Sequence, residues 1–236
     1  MYMTTSPDGK TTRQLRLPCW HDVWVANRKA EKNGESLDGG SGDIEEAEVL
    51  VSVVIPAYNE EERLENMLVE ALKYLDAKFG RTSKNALGGM GNGQSTETNG
   101  GISRKRRART AEANTKPSGY EIILVDDGSK DRTVDVALQF SQKNQLHDIM
   151  RIIQMCENRG KGRAVTHGFR HVRGQYAIFA DADGASRFSD LEKLIDGCEE
   201  VCDRSGRGIA VGSRAHMVGT EAVVKVSLRS LTVLES

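Results

Sequence analysis

The chain has 236 residues, enough for one large domain with a buried core, and its formal net charge of −1 excludes a global electrostatic attraction to nucleic acid or an anionic surface. Only 5% of the residues are aromatic and 24 are glycine, which indicates that part of the chain does not pack into a core. The four cysteines contain no Cys-x-x-Cys pair and favour a reducing compartment over a disulfide scaffold. No run approaches the roughly 18 apolar residues that a transmembrane helix needs.

Residues 1–48 are mostly polar and predict a flexible N-terminal arm, whose two Trp side chains would dock on the domain rather than on a lipid surface. Ordered structure is predicted to begin at 49–55, a run of branched residues typical of a central strand, which Pro56 ends. Asn59 and Glu62 form a capping-box pattern, and the apolar residues after them recur every three or four positions. The sequence therefore predicts an amphipathic helix directly after the first strand.

The pattern changes between residues 81 and 118, where Gly, Ser, Thr and Asn surround a basic cluster at 104–109. Low hydrophobicity and clustered like charge predict a disordered insertion. The cluster could be a nuclear-import or nucleic-acid patch, or it could contact anionic lipid headgroups. A solvated loop is the favoured interpretation, because no aromatic residues are interleaved with the basic ones.

Four more strands alternate with helices after this insertion: 120–125, 149–155, 176–180 and 209–212. One of the helices is predicted to begin at a second capping box, formed by Ser189 and Glu192. Such alternation predicts an α/β fold, a three-layer domain with a mainly parallel sheet. We expect this domain to cover residues 49–225 and a divergent tail to cover 226–236.

Three of the strands end in residues that carry chemistry: Pro56, Tyr58 and Glu60 after the first, Asp126 and Asp127 after the second, and Asp181 and Asp183 after the strand at 176–180. Carboxyl ends of parallel strands meet at one edge of a sheet, so these side chains should line one cleft. In an extended segment Asp181 and Asp183 point the same way, and paired carboxylates suit Mg²⁺ or Mn²⁺. The alternative is a simple turn with solvated acids.

The strand ends together suit a nucleoside diphosphate. Tyr58 could stack on a base, Asp127 could accept a hydrogen bond from a base or ribose, and a cation at the acid pair would neutralise the pyrophosphate. Lys161, between Gly160 and Gly162 at a predicted helix start, adds a phosphate-facing charge. Neither a P-loop nor a Gly-x-Gly-x-x-Gly motif appears, so P-loop and dinucleotide sites lose support.

Five segments in this order resemble the inverting, GT-A-type glycosyltransferases of family 2 and, within it, the eukaryotic dolichyl-phosphate glucosyltransferases: 51–62, 123–133, 158–165, 180–185 and 211–216. The resemblance implies transfer of glucose from UDP-glucose to dolichyl phosphate with inversion, with Mg²⁺ or Mn²⁺ as cofactor. It also implies a place at the cytosolic face of the endoplasmic reticulum membrane, a role in N-glycosylation, and no nucleic-acid partner. Contact with the membrane would use segments outside this chain.

The same resemblance implies a role for each strand-end residue: Pro56, Tyr58, Glu60 and Asp127 around the uridine, Asp126 in support of Asp127, and Asp181 and Asp183 at the diphosphate and metal. Arg214 would reach the sugar or the acceptor phosphate, and with the acid pair it completes the expected catalytic set. Each role has a simpler alternative. Glu60 could serve only the helix start, Asp126 could be a turn acid, and Arg214 could be a surface charge.

Three other functions remain open. Dolichyl-phosphate mannosyltransferases, which use GDP-mannose, share the first two segments. A non-catalytic nucleotide-sugar-binding fragment is a second possibility, since this chain lacks the family's N-terminal membrane helix and ends about 50 residues after the acid pair, so that transfer could be weak. The third is a phosphohydrolase of the haloacid-dehalogenase type, because an apolar strand followed by Asp-x-Asp-Gly is also its nucleophile motif.

Overall fold

The computed structural model describes residues 1–8, 10–14, 19–33, 46–81, 117–184, 187–204, 206–211 and 225–228. Strands in these residues are β1 (Tyr2–Thr5), β2 (Thr11–Gln14), β3 (Val49–Ala57), β4 (Tyr120–Asp126), β5 (Met150–Gln154), β6 (Gly174–Phe179), β7 (Ile209–Val211) and β8 (Lys225–Leu228). The helices are α1 (Trp20–Lys32), α2 (Leu64–Phe79), α3 (Thr133–Lys143), α4 (Lys161–Phe169) and α5 (Leu191–Glu200). The expected insertion and Arg214 lie outside the described residues.

All eight strands form one sheet, in the order β2-β1-β5-β4-β3-β6-β8-β7. The central strands β5, β4, β3 and β6 pair in parallel, as the alternation of strands and helices predicts. The pairs β1–β5, β1–β2, β6–β8 and β7–β8 are antiparallel. Because β4 and β5 extend the sheet on one side of β3 and β6 lies on the other, the strand order reverses at β3. Open α/β sheets form their ligand crevices at such a point.

Helices cover both faces of the sheet, as expected for central strands that are mainly apolar on both faces. On one face, α2, α3 and α5 pack on alternate side chains of β3, β4 and β6. The predicted stripe of α2 is buried there: Leu64, Met67, Leu68, Ala71, Leu72 and Leu75. Each large member of this stripe contributes roughly 1.5–3 kcal/mol through burial. The three-layer architecture is therefore confirmed.

Helix α4 packs on the opposite face, against β3 and β4. The approach is close at Gly168, where an added Cβ would lie 2.5 Å from Val54 Cγ1 and 2.9 Å from Val125 Cγ2. Both distances are far below a normal carbon–carbon contact of about 3.5–4.0 Å. Only glycine fits there, so Gly168 determines how near the helix lies to the sheet.

The first 14 residues depart from the flexible arm that their composition predicts. β1 pairs with β5, with Tyr2 opposite Ile153 and Met3 opposite Ile152. Met3 is only 2% exposed, and the Thr5 hydroxyl lies 2.8 Å from the Ser141 hydroxyl. Burial alternates along β1 as it does in any half-buried strand, but four residues are too few to reveal that period in the sequence.

Neither of the predicted capping boxes forms. α2 begins at Leu64, and no side chain caps its first turn; Asn59 instead lies in the preceding loop with φ of 54°. α5 begins at Leu191 after a 3-10 turn that contains Ser189, again without a side-chain cap. Within the described residues, no helix is long and apolar enough to cross a membrane.

The first strand also continues through Pro56 to Ala57. Pro56 is opposite Val125 of β4, whereas pairing with β6 ends at Val54. Asp127 donates its backbone N–H to the carbonyl of Ala57 on the β4 side, at 2.8 Å. Residues next to each other in a strand direct their backbone groups to opposite sides, so the nitrogen of Pro56 faces the side where β6 has already ended. A missing N–H costs nothing there.

Candidate active site

The carboxyl ends of β3, β4 and β6 and the start of α4 enclose one cleft, with a cavity volume of about 340 Å³. Among the described residues, its lining contains every cleft residue expected from the sequence except Asp126: Pro56, Tyr58, Glu60, Asp127, Lys161, Asp181 and Asp183. Ala57, Asn158, Gly160 and Ala182 complete it. The three strand ends therefore converge, as the sequence predicts for parallel neighbours.

The acid pair occupies the β6 side of the cleft. Asp181 is 29% exposed at its side chain, and its Oδ1 contacts the ammonium of Lys161, the first residue of α4. The Lys161 Nζ also lies 5.8 Å from the ring centre of Phe179, within the range of a cation–π contact. Asp183, two residues further on, is exposed on the same wall.

Asp127 connects the β4 side of the cleft to the loop that precedes α4. Its carboxylate accepts the backbone N–H of Arg159 at 2.9 Å and that of Gly160 at 2.7 Å. The side chain is almost fully buried, at 3% exposure. Gly128 follows with φ of 75°, and an added Cβ there would lie 2.8 Å from the backbone carbon of Glu157. The two loops therefore touch along their backbones, and Asp127 fixes the start of α4.

Tyr58 and Glu60 form the β3 side. Tyr58 is 41% exposed at the cleft mouth, which leaves its ring available for stacking. Glu60 forms an ion pair with Arg63 at 2.8 Å. Burial raises the pKa of the Glu60 carboxyl; Arg63 opposes this rise and Asp183 adds to it. The influence of Asp183 shows that negative charges from two strand ends lie close together in the cleft.

A network of hydrogen bonds joins the β3 and β4 loops and was not predicted from the sequence. Asn59 donates its backbone N–H to the Ser129 hydroxyl at 2.9 Å and accepts the Lys130 N–H through its side chain at 2.9 Å. The Glu60 N–H donates to the Thr133 hydroxyl at 2.8 Å. These bonds span about 70 residues of sequence. The Asn and Ser residue types are common to caps and turns, so local pattern alone could not reveal their partners.

Asp126 is not in the cleft. It is fully buried at the end of β4, and its carboxylate oxygens accept the Ser129 N–H at 3.2 and 3.3 Å. Burial raises the pKa of Asp126, and the Ser129 hydrogen bond only partly offsets that rise. The side chain of Asp126 thus holds the turn behind Asp127 rather than facing a ligand.

The acid pair fits a divalent cation by donor chemistry. Asp181 and Asp183 present oxygen ligands, and Mg²⁺ in phosphate sites usually takes one or two carboxylates together with phosphate oxygens and water. In the part of the chain that the structure describes, no group of three or more His, Cys, Asp or Glu side chains is arranged as a metal site. A cation held here would therefore need ligands from the diphosphate as well as from the protein.

Comparison with known proteins agrees with this geometry. Residues 106–216 match the family model for glycosyl transferase family 2. The dolichyl-phosphate β-glucosyltransferase of Saccharomyces cerevisiae is 39% identical over 192 residues, which cover 78% of this chain and 46% of that protein. Residues 106–216 are therefore a glycosyltransferase family 2 domain. The three-layer domain, with its mainly parallel sheet, agrees with the GT-A fold expected for this family.

Other relatives are also named dolichyl-phosphate β-glucosyltransferase. The dolichyl-phosphate β-glucosyltransferase of Drosophila melanogaster is 36% identical over 182 residues, covering 77% of this chain and 45% of that protein. The human enzyme is 39% identical over 168 residues, covering 71% and 41%. The chain thus spans less than half the length of these relatives. Among solved structures, a mannosyltransferase from Pyrobaculum calidifontis in complex with GDP-Man and Mn²⁺ is 17% identical, with a TM-score of 0.38. The match covers 69% of this chain and 34% of that protein, and the likeness is too remote to bear on the site.

Proposed function

We propose that this domain transfers glucose from UDP-glucose to dolichyl phosphate with inversion at the anomeric carbon, forming dolichyl β-D-glucosyl phosphate. The convergence of the β3, β4 and β6 ends in one cleft carries the proposal, because it unites an aromatic ring, an acid pair and a lysine at the switch point of the sheet. The names of the relatives supply the sugar and the acceptor. Those names favour none of the alternative functions.

The nucleotide would enter between Tyr58 and Asp127. The exposed Tyr58 ring offers a stacking face for the uracil. Both oxygens of Asp127 already accept backbone N–H groups, yet each retains a lone pair that could accept a hydrogen bond from the base or the ribose. Lys161 and the start of α4 would face the diphosphate, where positive charge and free helical N–H groups favour an anion.

The chemistry follows from the charges of the two substrates. The second pKa of a phosphate monoester is about 6, so the attacking oxygen of dolichyl phosphate is ionised near neutral pH and needs no strong general base. A divalent cation held by Asp181 and Asp183 would neutralise the charge that develops on the departing UDP. Lys161 would add a second positive charge at the same diphosphate, and Arg214 would serve the acceptor phosphate or the sugar.

The acceptor is a membrane lipid, so the proposal places the cleft near a bilayer. We infer the cytosolic face of the endoplasmic reticulum membrane, because the relatives are named for an acceptor that belongs to N-glycan assembly. Attachment to the membrane would come from segments of a longer protein, given that the chain spans less than half of each relative.

Two measurements test the proposal. Calorimetry should show UDP binding that strengthens when Mg²⁺ or Mn²⁺ is added, with GDP as the matched control ligand binding more weakly. Incubation with radiolabelled UDP-glucose and dolichyl phosphate, and with GDP-mannose in parallel, should place label in lipid only from UDP-glucose. Absence of any metal-dependent UDP binding would refute the nucleotide site, and lipid labelling from GDP-mannose would reassign the sugar.

A further inference from the structure

We propose that Lys161 is the resting counter-ion of Asp181, and that the divalent cation binds well only after a diphosphate has drawn this lysine away from the carboxylate. Binding of the nucleotide would then raise the affinity of the cleft for the cation, and binding of the cation would raise its affinity for the nucleotide. This inference rests on the proposed function for the identity of the diphosphate. Its central claim, that Lys161 and a divalent cation compete for one carboxylate, does not depend on transfer activity.

The Lys161 ammonium contacts Asp181 Oδ1, the oxygen of that carboxylate with almost no solvent exposure. The ammonium places a positive charge directly against this oxygen, and a divalent cation at coordination distance from Oδ1 would have to displace it. Coordination of Asp181 through Oδ1 and the present ion pair are therefore mutually exclusive.

The backbone of Lys161 is held in place, whereas its side chain is not. Asp127 accepts the N–H of Gly160, directly before Lys161, and Lys161 is the first residue of α4. The main chain at Lys161 is thus fixed while its side chain is long and flexible. The side chain is 56% exposed, so the ammonium can leave Asp181 for a neighbouring acceptor without movement of the helix.

The side chains that line the cleft include more acids than bases. Among the cleft-lining side chains, Glu60, Asp127, Asp181 and Asp183 are acidic and Lys161 is basic. A bound diphosphate adds further negative charge and offers phosphate oxygens as new acceptors for the ammonium. Transfer of Lys161 to the diphosphate would free Asp181 at the moment when the cation becomes necessary for neutralisation. The same lysine would therefore oppose the cation in the empty cleft and assist the nucleotide in the filled one.

The test compares Mn²⁺ binding, in the absence of nucleotide, to the whole chain and to its Lys161→Met variant. Partly exposed ion pairs contribute modestly, so the variant should bind Mn²⁺ about threefold to fivefold more tightly than the unmodified chain, by calorimetry or by loss of the free-ion electron paramagnetic resonance signal. Lys193→Met is the matched control, because Lys193 pairs with Asp190 at 2.8 Å on the surface of α5 and should leave Mn²⁺ affinity unchanged. Lys161→Arg retains the charge and should keep Mn²⁺ binding weak.

A second measurement separates this inference from the proposed function. With saturating Mn²⁺, Lys161→Met should bind UDP more weakly than the unmodified chain, because the diphosphate has lost its lysine. Equal or weaker Mn²⁺ binding by a folded Lys161→Met variant, checked by circular dichroism and by the related Lys161→Gln, would overturn the competition. If instead Mn²⁺ binding tightens as expected but no form binds UDP, the competition stands and the nucleotide-sugar proposal fails.

Discussion

The two ends of β4 each carry a fully buried carboxylate, and the surroundings of the two differ. At the amino end, Glu121 accepts the Ser52 hydroxyl at 2.6 Å, the Arg151 guanidinium at 2.5 Å and the Arg173 Nε at 2.9 Å. Burial alone would raise its pKa, but Arg151 and Arg173 hold the pKa of Glu121 below its usual value. At the carboxyl end, none of the described residues gives Asp126 such a cationic partner, and burial raises the pKa of Asp126.

The two edges of the sheet therefore differ in role: the buried network at the amino edge stabilises the fold, whereas the acids at the carboxyl edge line the cleft. The acid at the amino edge is neutralised within the protein by two arginines, so nothing remains there for a ligand to do. At the carboxyl edge, the acids of the cleft outnumber the cations, and Asp183 raises the pKa of Glu60. A cleft lined by more acidic than basic side chains suits a diphosphate site that is assisted by a cation.

The largest effect should come from breaking the network at the amino edge. Glu121→Ala leaves Arg151 buried without its carboxylate, which should lower the free energy of unfolding by about 3–5 kcal/mol in urea denaturation. Glu48→Ala is the control: Glu48 is the half-exposed partner of Arg173, and its loss should cost less than about 1 kcal/mol. Equal losses in the two variants would contradict the comparison.

At the other edge, Asp183→Asn should damage function and spare the fold. If the proposed function is correct, removal of this carboxylate from the proposed metal site should lower glucosyl transfer about a hundredfold and abolish the enhancement of UDP binding by metal. The urea midpoint should stay unchanged, because Asp183 is exposed. Asp190→Asn, at the start of α5 outside the cleft, should leave both transfer and binding intact. A variant of Asp183 that still responds to metal would remove this residue from the site.

A pair of glycines tests the close contact between the loops of the cleft. Gly128 and Gly184 have nearly the same positive φ, 75° and 76°, but an added Cβ meets backbone atoms at 2.8 and 2.9 Å only at Gly128. Gly184→Ala should therefore cost roughly 1 kcal/mol for backbone strain, and Gly128→Ala roughly 2–3 kcal/mol. Thermal or urea unfolding gives both values, and similar losses would mean that the loops can separate without cost.

The smallest effect concerns pH. Because the pKa of Glu121 is lowered, its stabilisation is present above its unfolded pKa of about 4.3 and is lost as pH falls through the lower folded value. Asp126 has the opposite sign, since its raised pKa makes the fold relatively more stable as pH falls. Urea midpoints between about pH 7 and pH 3 should therefore fall less steeply in Glu121→Gln, with the difference developing below about pH 4.3, and more steeply in Asp126→Asn. Parallel profiles would contradict the difference between the two ends.

Local sequence patterns were sufficient to predict the central strands and most of the residues that line the cleft. The strands at 49–57 and 120–126 are mainly apolar, and acids at their carboxyl ends must meet once the strands are parallel neighbours. The sequence also gives both Asp126 and Asp127, but adjacent strand residues point to opposite sides. Which of the two faces the cleft depends on the register of β4, which the sequence alone does not show.

Non-local contacts explain what the sequence did not reveal. β1 is ordered by β5, about 150 residues away. Its Tyr and Thr residues suit a strand, but a run of four residues is too short to distinguish a strand from a polar arm in the sequence. Asn59 has the pattern of a helix cap, yet its side chain bonds to Lys130 and its backbone takes a left-handed conformation. A cap is a local option that a tertiary partner can displace, because either arrangement satisfies the same polar groups.

The tight seat of α4 on the sheet has a consequence for interpreting natural variation. Gly168 lies seven residues from Lys161 along this helix, or about 10 Å, and touches no part of the cleft. A larger residue at position 168 would push the helix outward from Val54 and Val125, and the lysine at the other end would move with it. A substitution there should therefore appear in assays as a defect in donor affinity, although it would be classified from its location as a packing change.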